Sequence, residues 1–388
     1  MYIRRTAEAT LVEMADQFKI LAVTGPRQSG KTTLVRHVFP DKPYASLENP
    51  DTREFALRDP RRFLQRYASG AVLDEVQRCP ELLSYLQGMV DESQERGHFV
   101  LTGSQHFGLM EKISQSLAGR VGVLHLLPFS LCELTDGGVR PEGLDALLFA
   151  GGYPPVHDAH ASPERWYNAY IDTYVERDMR QLVNVHDTNR FQRFMRLCAD
   201  SIGQLVNMTR IGSDCGVDQK TVKAWLAILE TGFVIYRLRP HHENFRKRLV
   251  KTPKLYFHDT GLAARFLGIE RAEQLATHRM RSALFENWVV SELLKGRHNL
   301  ARSDNLFFWR DNTGAEVDIL ADRAGVLLPI EVKSGMTIAS DWFDGLAKWR
   351  RLAGERAARP VLVYGGEARQ SRQIAEVLPW SDIGELTG

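Results

Sequence analysis

Ile20-Leu21-Ala22-Val23-Thr24-Gly25-Pro26-Arg27-Gln28-Ser29-Gly30-Lys31-Thr32-Thr33-Leu34-Val35-Arg36-His37-Val38 passes from a short apolar run, through a glycine-bounded loop, into a stretch that can open a helix. Its middle, Gly25 to Thr32, spells G-x-x-x-x-G-K-[ST]. A buried strand, a loop of this pattern and a helix together cradle nucleotide phosphates. The glycines let backbone N–H groups wrap the phosphates, Lys31 reaches the β/γ oxygens, and Thr32 offers a hydroxyl to Mg²⁺. Gly25, Pro26, Arg27, Gln28, Ser29, Gly30, Lys31, Thr32 and Thr33 are therefore the expected ATP-binding set. The plainer reading of the same residues is a glycine-rich turn.

Outward from the loop, apolar runs at 20–24, 44–47, 71–74, 99–103 and 123–127 alternate with helical stretches. That rhythm predicts an α/β fold, a parallel sheet with right-handed crossovers. The third run ends Asp74-Glu75. Apolar residues followed by two acids suit a buried strand that delivers carboxylates to its tip, where open α/β sheets bind ligands. Asp74 is expected to hold Mg²⁺, and Glu75 to polarise the attacking water. The fourth run ends Leu101-Thr102-Gly103-Ser104, placing Ser104 to report the γ-phosphate or simply to cap the next helix. Arg120 closes a helical run at 109–119. In ring-forming ATPases an arginine there can reach a neighbour's γ-phosphate, whereas a surface arginine at a helix end is favoured by the dipole. Both readings stand.

Three domains are expected: 1–150, a P-loop AAA+ ATPase module; 151–262, a helical lid and winged helix; and 263–388, a nuclease-like α/β domain. Gly151-Gly152-Tyr153-Pro154-Pro155 breaks the early rhythm. Helical patterning continues to about 232, with a short helix at 208–215 and a second capped by Asp218. Apolar β-runs at 233–238 and 255–257 complete a winged-helix order. Gln219, Lys220 and Lys223 fall away from the apolar face of the second helix, and the segment between the β-runs offers Arg246, Lys247, Arg248 and Lys251. These are the expected DNA contacts; packing against protein is the alternative.

The last third carries a helix at 282–295, strands at 306–309, 317–321, 326–333 and 361–364, and helical stretches near 342–352 and 372–377. Asp318 on one strand, Glu331 and Lys333 on the next, and Glu286 on the helix form a possible second metal site. The arrangement resembles the PD-(D/E)xK nuclease fold, although Glu316-Val317-Asp318 stands where proline-aspartate would. The resemblance implies acids on Mg²⁺ and a lysine that orients water. Lys333 could equally neutralise the acids in an inactive fold.

Composition sets bounds. At 388 residues the chain is long for one core. A net charge of +2 leaves any nucleic-acid surface as a local patch. Cys79, Cys132, Cys198 and Cys215 form no C-x-x-C pair, against zinc and for a reducing compartment. No apolar run approaches the ~18 residues that span a bilayer. A cytoplasmic protein with no membrane partner is expected.

Several motifs occur in one order: the phosphate loop, Asp74-Glu75-Val76-Gln77, Leu101-Thr102-Gly103-Ser104, Leu117-Ala118-Gly119-Arg120, Pro128-Phe129-Ser130, Gly151-Gly152-Tyr153-Pro154 and Tyr174-Val175-Glu176-Arg177-Asp178. Phe257-His258-Asp259-Thr260-Gly261-Leu262 and Ile330-Glu331-Val332-Lys333-Ser334-Gly335 come after them. Together they resemble the prokaryotic AAA-type ATPases with a C-terminal DUF4143 domain, over essentially the whole chain. The resemblance implies ATP binding within the AAA+ superfamily. The expected activity is ATP hydrolysis with Mg²⁺ in a homo-oligomer, coupled to rearrangement of a bound partner, DNA. A nucleotide-gated switch without turnover and an ATP-regulated, Mg-dependent nuclease are the alternatives.

Overall fold

Strand β1 (Ile20–Gly25) is buried along its whole length. Its alternate side chains enter two different cores, Ile20 and Ala22 in one, Leu21 and Val23 in the other. A strand covered on both faces must be apolar throughout, which is why this run does not alternate. The structure is a computed structural model that describes residues 2–104, 116–159, 161–175, 188–241, 251–311 and 313–387.

β1 belongs to a five-stranded sheet with β2 (Tyr44–Ser46), β3 (Ala71–Asp74), β4 (Phe99–Ser104) and β5 (Val121–His125), in the order β2-β3-β4-β1-β5. Every neighbouring pair is parallel. β4 thus separates the strand that feeds the phosphate loop from the strand that ends in Asp74. β5 starts two residues earlier than expected because Ile20 pairs with Val121.

The chain divides into two compact units, one of residues 1–129 with 231–233 and 297–302, the other of the remainder. The expected borders at 150/151 and 262/263 do not coincide with this partition. In the second unit, the helices Met208–Cys215 and Gln219–Thr231 are succeeded by β6 (Ile235–Pro240) and β7 (Lys254–Phe257), paired antiparallel. Asn207 caps the first helix through Arg210 N at 2.9 Å, and Asp218 accepts from Thr221 N at 2.7 Å. β6 then continues into β8 (Leu306–Arg310) through the pairs Arg239–Phe307 and Pro240–Phe308. The hairpin therefore shares one eight-stranded sheet with β9 (Glu316–Arg323), β10 (Val326–Lys333), β11 (Val361–Tyr364), β12 (Gln370–Ser371) and β13 (Glu376–Pro379). A cut at 262 would split that sheet.

The stretch 372–377, expected to be helical, instead leads into β13, which pairs parallel with β11. Ala375 and Val377 are fully buried on either side of Glu376, a period of two that suits a strand. Among the described residues, no helix is long and apolar enough to cross a membrane. All four cysteines are free thiols.

Candidate nucleotide-binding site

The loop leaves β1 at Gly25, whose φ is 149° and where a Cβ would lie 2.2 Å from Leu126 O. Only glycine fits so close to the chain just after β5. Arg5, itself buried, donates to Ser29 O at 3.0 Å and Leu127 O at 2.6 Å, and lies over the Phe129 ring. It fixes the loop backbone from the amino-terminal segment.

Lys31 opens the helix Lys31–Val38, and its buried ammonium donates to Pro26 O at 2.6 Å and Gly25 O at 3.2 Å. Burial lowers its pKa to about 8, against the pull of Glu75 and Asp74. Thr32 Oγ1 stands 3.0 and 3.2 Å from the two Asp74 carboxylate oxygens. Tyr44 Oη donates to Asp74 Oδ2 at 2.6 Å, and the Thr102 hydroxyl also donates to Asp74. Burial and the Asp74 carboxylate push Tyr44 up to about 12. Thr32 and Asp74 are hard oxygen donors at one point, a set that suits Mg²⁺. With Mg²⁺ bound there, its charge would neutralise the phosphate oxygens.

Glu75 adopts the left-handed conformation, φ 58° and ψ 45°, turning the chain sharply at the end of β3. Burial raises its pKa, while Lys31 and the Gln77 amide lower it. Gln77 Nε2 donates to Glu75 Oε2 and, at 3.0 Å, to Ser104 Oγ. The parallel register that aligns Leu73 with Leu101 sets Thr102 beside Asp74 and carries Ser104 to the tip of β4. Lys31, Thr32, Asp74, Glu75 and Ser104 are thus brought together. Tyr44, Thr102 and Gln77 join them, although none is expected there from sequence. Thr102 and Gln77 lie inside the motifs Leu101-Thr102-Gly103-Ser104 and Asp74-Glu75-Val76-Gln77, and polar side chains ending apolar strands are the signal that finds them.

Arg120 lies elsewhere. Its carbonyl accepts from Ile20 N at 3.1 Å, at the opposite end of β1 from the loop. Six residues of strand, about 20 Å, separate the two ends. The guanidinium is bidentate to Asp91, with Nη2 to Oδ2 at 2.8 Å, and donates to Ala118 O. Residues 109–115 of the preceding run lie outside the described residues, as do Glu176-Arg177-Asp178.

In the second unit the register pairs Ile330 with Ile319, so Glu331 and Asp318 stand side by side. Glu286 joins them, but so does Lys254 from β7. Its ammonium pairs with Glu286 Oε1 at 3.0 Å and with Glu316, and is 4.0 Å from Asp318 Oδ1. Burial alone would lower Lys254, yet Tyr256, Glu286, Asp318 and Glu316 outweigh it and hold the lysine well above its ordinary value. Lys333 Nζ donates to Glu331 Oε1 at 2.6 Å. Burial and Asp318 raise Glu331 to about 8 against that pull. The expected second metal site is therefore corrected: an ammonium occupies the place among the acids that a cation would need. Among the described residues, no group of three or more His, Cys, Asp or Glu could hold a metal ion. Sequence reasoning misses Lys254, though a lysine in the buried strand Lys254–Phe257 is legible as a charge in need of partners.

Gln219, Lys220, Lys223 and Lys251 are exposed, and Gln219 Nε2 donates to Thr209 Oγ1 at 2.8 Å. Arg246, Lys247 and Arg248 lie outside the described residues. Two other motifs meet at Asp259. It accepts from Gly152 N at 2.7 Å, Tyr167 Oη at 2.6 Å and Leu262 N at 2.9 Å. A Cβ on Gly151, at φ 63°, would lie 2.2 Å from Tyr167 Oη, which explains the first of the paired glycines.

The family model described as AAA domain matches residues 17–135, and that of the domain of unknown function DUF4143 matches residues 281–383. A further domain of unknown function, DUF8612, matches residues 141–273. An uncharacterized protein of Mycobacterium tuberculosis (strain ATCC 25618 / H37Rv) is 32% identical over 372 residues, covering 94% of this chain and 81% of that protein. The chain belongs to the AAA-type ATPases with a C-terminal DUF4143 domain. An uncharacterized Haemophilus influenzae protein is 24% identical to this AAA–DUF4143 chain over 248 residues, covering 60% of it and 58% of the relative. Among solved structures, the AAA–DUF4143 chain is similar to the Walker-type ATPase of Pyrococcus abyssi, with TM-score 0.46 and 16% identity, covering 69% of the chain and 96% of the other. It is also similar to AMPPCP-bound DnaA from Aquifex aeolicus, with TM-score 0.31 and 13% identity, covering 58% and 85%.

Proposed function

We propose that this protein binds ATP with Mg²⁺ and hydrolyses it to ADP and phosphate, coupling turnover to rearrangement of bound DNA. The observation that carries the reading is the convergence of Lys31, Thr32, Asp74 and Glu75 at the loop end of β1 and β3. Lys31 neutralises the β/γ-phosphates. Thr32 and Asp74 hold Mg²⁺. Glu75 orients water and takes one of its protons. The water oxygen bonds to the γ-phosphorus while the bond to the β–γ bridging oxygen breaks, and that electron pair leaves with ADP.

Arg120 is too far along the sheet to serve its own loop, which supports action on a neighbouring subunit of a homo-oligomer. The helix Gln219–Thr231 and the β6–β7 hairpin support a winged-helix module, and exposed Gln219, Lys220, Lys223 and Lys251 suit phosphates and base edges. Arg246, Lys247 and Arg248 are further basic residues that suit phosphate contacts by their charge. Turnover measured with and without duplex, single-stranded and branched DNA tests the coupling. DNA should raise the rate; binding of Mg–ATP with neither turnover nor stimulation would make the protein a nucleotide-gated switch.

A further inference from the structure

We infer that the groove between the helix Lys31–Val38 and the edge strand β2 holds single-stranded nucleic acid, with a base stacked on its tyrosines and phosphates on its basic side chains. The inference rests on the DNA-coupled reading above and deepens it, naming the form of the strand and a place for it beside the first sheet. The groove measures about 520 Å³ and is open to solvent, a size that suits a small ligand or one unit of a chain. Tyr2, Thr32, Arg36, His37, Lys42 and Tyr44 give it its chemistry, and no acidic residue lines it. Helical spacing sets the cations: Arg36 follows Thr32 by four residues and so stands about 6 Å further along the same face. Its guanidinium lies over the Tyr44 ring, 5.1 Å from the centroid, and among the described residues it pairs with no carboxylate. Lys42 Nζ donates to His98 O at 3.5 Å. Glu95, the acid that acts on Lys42, does not line the groove.

The aromatic half comes from two tyrosines that keep 36% and 39% of their surface in water, Tyr2 and Tyr44. Tyr2 stacks on His37 with ring centroids 4.0 Å apart, which holds both rings flat. Every base has a π-face whatever its sequence, so rings beside a row of cations hold a single strand without reading it. A duplex hides those faces in its own stack. Tyr44 joins the groove to the Mg²⁺ corner: its ring forms one wall while its hydroxyl donates to Asp74 Oδ2 at 2.6 Å. A base on that ring bears on the carboxylate assigned to Mg²⁺, which gives strand binding a route to turnover.

The test is fluorescence anisotropy of a labelled oligothymidylate against the full chain over a salt series, with and without saturating Mg–ATPγS, beside the same series on a duplex. Arg36→Gln combined with Lys42→Gln should weaken oligothymidylate binding at least about tenfold and flatten its salt slope by about 1.4, at about 0.7 per phosphate of a single strand. Duplex binding should stay within about twofold of the parent. Tyr2→Leu should weaken oligothymidylate binding at least about fivefold, the lower bound for one lost stack. Tyr2→Phe keeps the ring and should bind like the parent. Tyr2 lies exposed in the amino-terminal segment, so this pair carries the test alone should the double variant not fold. Parental affinity in the folded double variant or in Tyr2→Leu overturns the inference and leaves the DNA reading to the helix Gln219–Thr231. Displacement of oligothymidylate by Mg–ATPγS also overturns it, since the groove would then belong to the ATP site. Oligothymidylate binding that depends on Arg36, Lys42 and Tyr2 but leaves ATP turnover unmoved supports the groove and overturns the coupling alone. Parental protein that binds no DNA of either form overturns both.

Discussion

Thr32 Oγ1 and the carboxylate of Asp74 lie 3.0 and 3.2 Å apart, joining the first turn after the phosphate loop to the tip of a strand two positions away in the sheet. The contact exists because β4 separates β1 from β3, leaving both tips open to one space. Two oxygen donors from separate parts of the sequence meet where Mg²⁺ would be needed, and the lysine beside them is buried.

That lysine gives a pH dependence. Burial holds Lys31 near 8 in the free protein, and only its ammonium form attracts phosphate. Bound triphosphate favours the charged form, so binding above pH 8 must draw in a proton. Mg–ATP affinity is therefore full below about pH 8 and falls up to tenfold per pH unit above it. Calorimetry from pH 7 to 10 checks this; a flat affinity would contradict it. Lys31→Ala should lose nucleotide binding at every pH.

In the proposed homo-oligomer, mixing Arg120→Ala protein with Lys31→Ala protein should restore some hydrolysis, because one interface would pair an intact loop with an intact arginine. Neither variant should be active alone. Full activity of a strictly monomeric protein over a wide concentration range would leave Arg120 to its pair with Asp91.

The proposed DNA binding should weaken steeply with salt, each neutralised phosphate contributing a slope near −0.9 in log K against log salt. Replacing Lys220, Lys223 and Lys251 by alanine should flatten that slope by up to about 3, and replacing Arg246, Lys247 and Arg248 should do the same. Gln219→Ala should alter sequence preference without changing the slope. An unchanged slope in both triple variants would move the DNA surface elsewhere.

Asp259→Ala should lower the unfolding free energy by about 3–5 kcal/mol, since it strands buried donors on Gly152, Tyr167 and Leu262. Tyr167→Phe, which leaves two of the three bonds, should lower it by about 1–2 kcal/mol. Denaturant unfolding measures both. A change below about 1 kcal/mol in Asp259→Ala would show the motif to be something other than a structural clamp.

Local order makes the first sheet readable from sequence. Its strands are apolar, short and punctuated by glycine, and the phosphate-loop pattern dictates a turn and a helix directly after β1. Bounds such as Ala71–Asp74 and Met208–Cys215 come from caps and hydrophobic runs within a few residues of one another. Long-range pairing is not readable in this way. Nothing near Ile235–Pro240 announces that it will bond to β8, some 65 residues on, and so the hairpin reads as part of a separate module. The carboxyl-terminal acids are visible as a set, but the lysine that neutralises them comes from that same hairpin. Ala375 and Val377 suit either a helix or a strand until β11 lies alongside.

Glu75, as the group that takes the proton from water, is central to the proposed hydrolysis. The most direct measurement is steady-state ATP hydrolysis by Glu75→Gln, with Mg–ATP binding measured on the same protein. Asp74, Thr32 and Lys31 are intact in that variant, so binding should persist while kcat falls roughly 10²–10⁴-fold. Hydrolysis at the parental rate would contradict it.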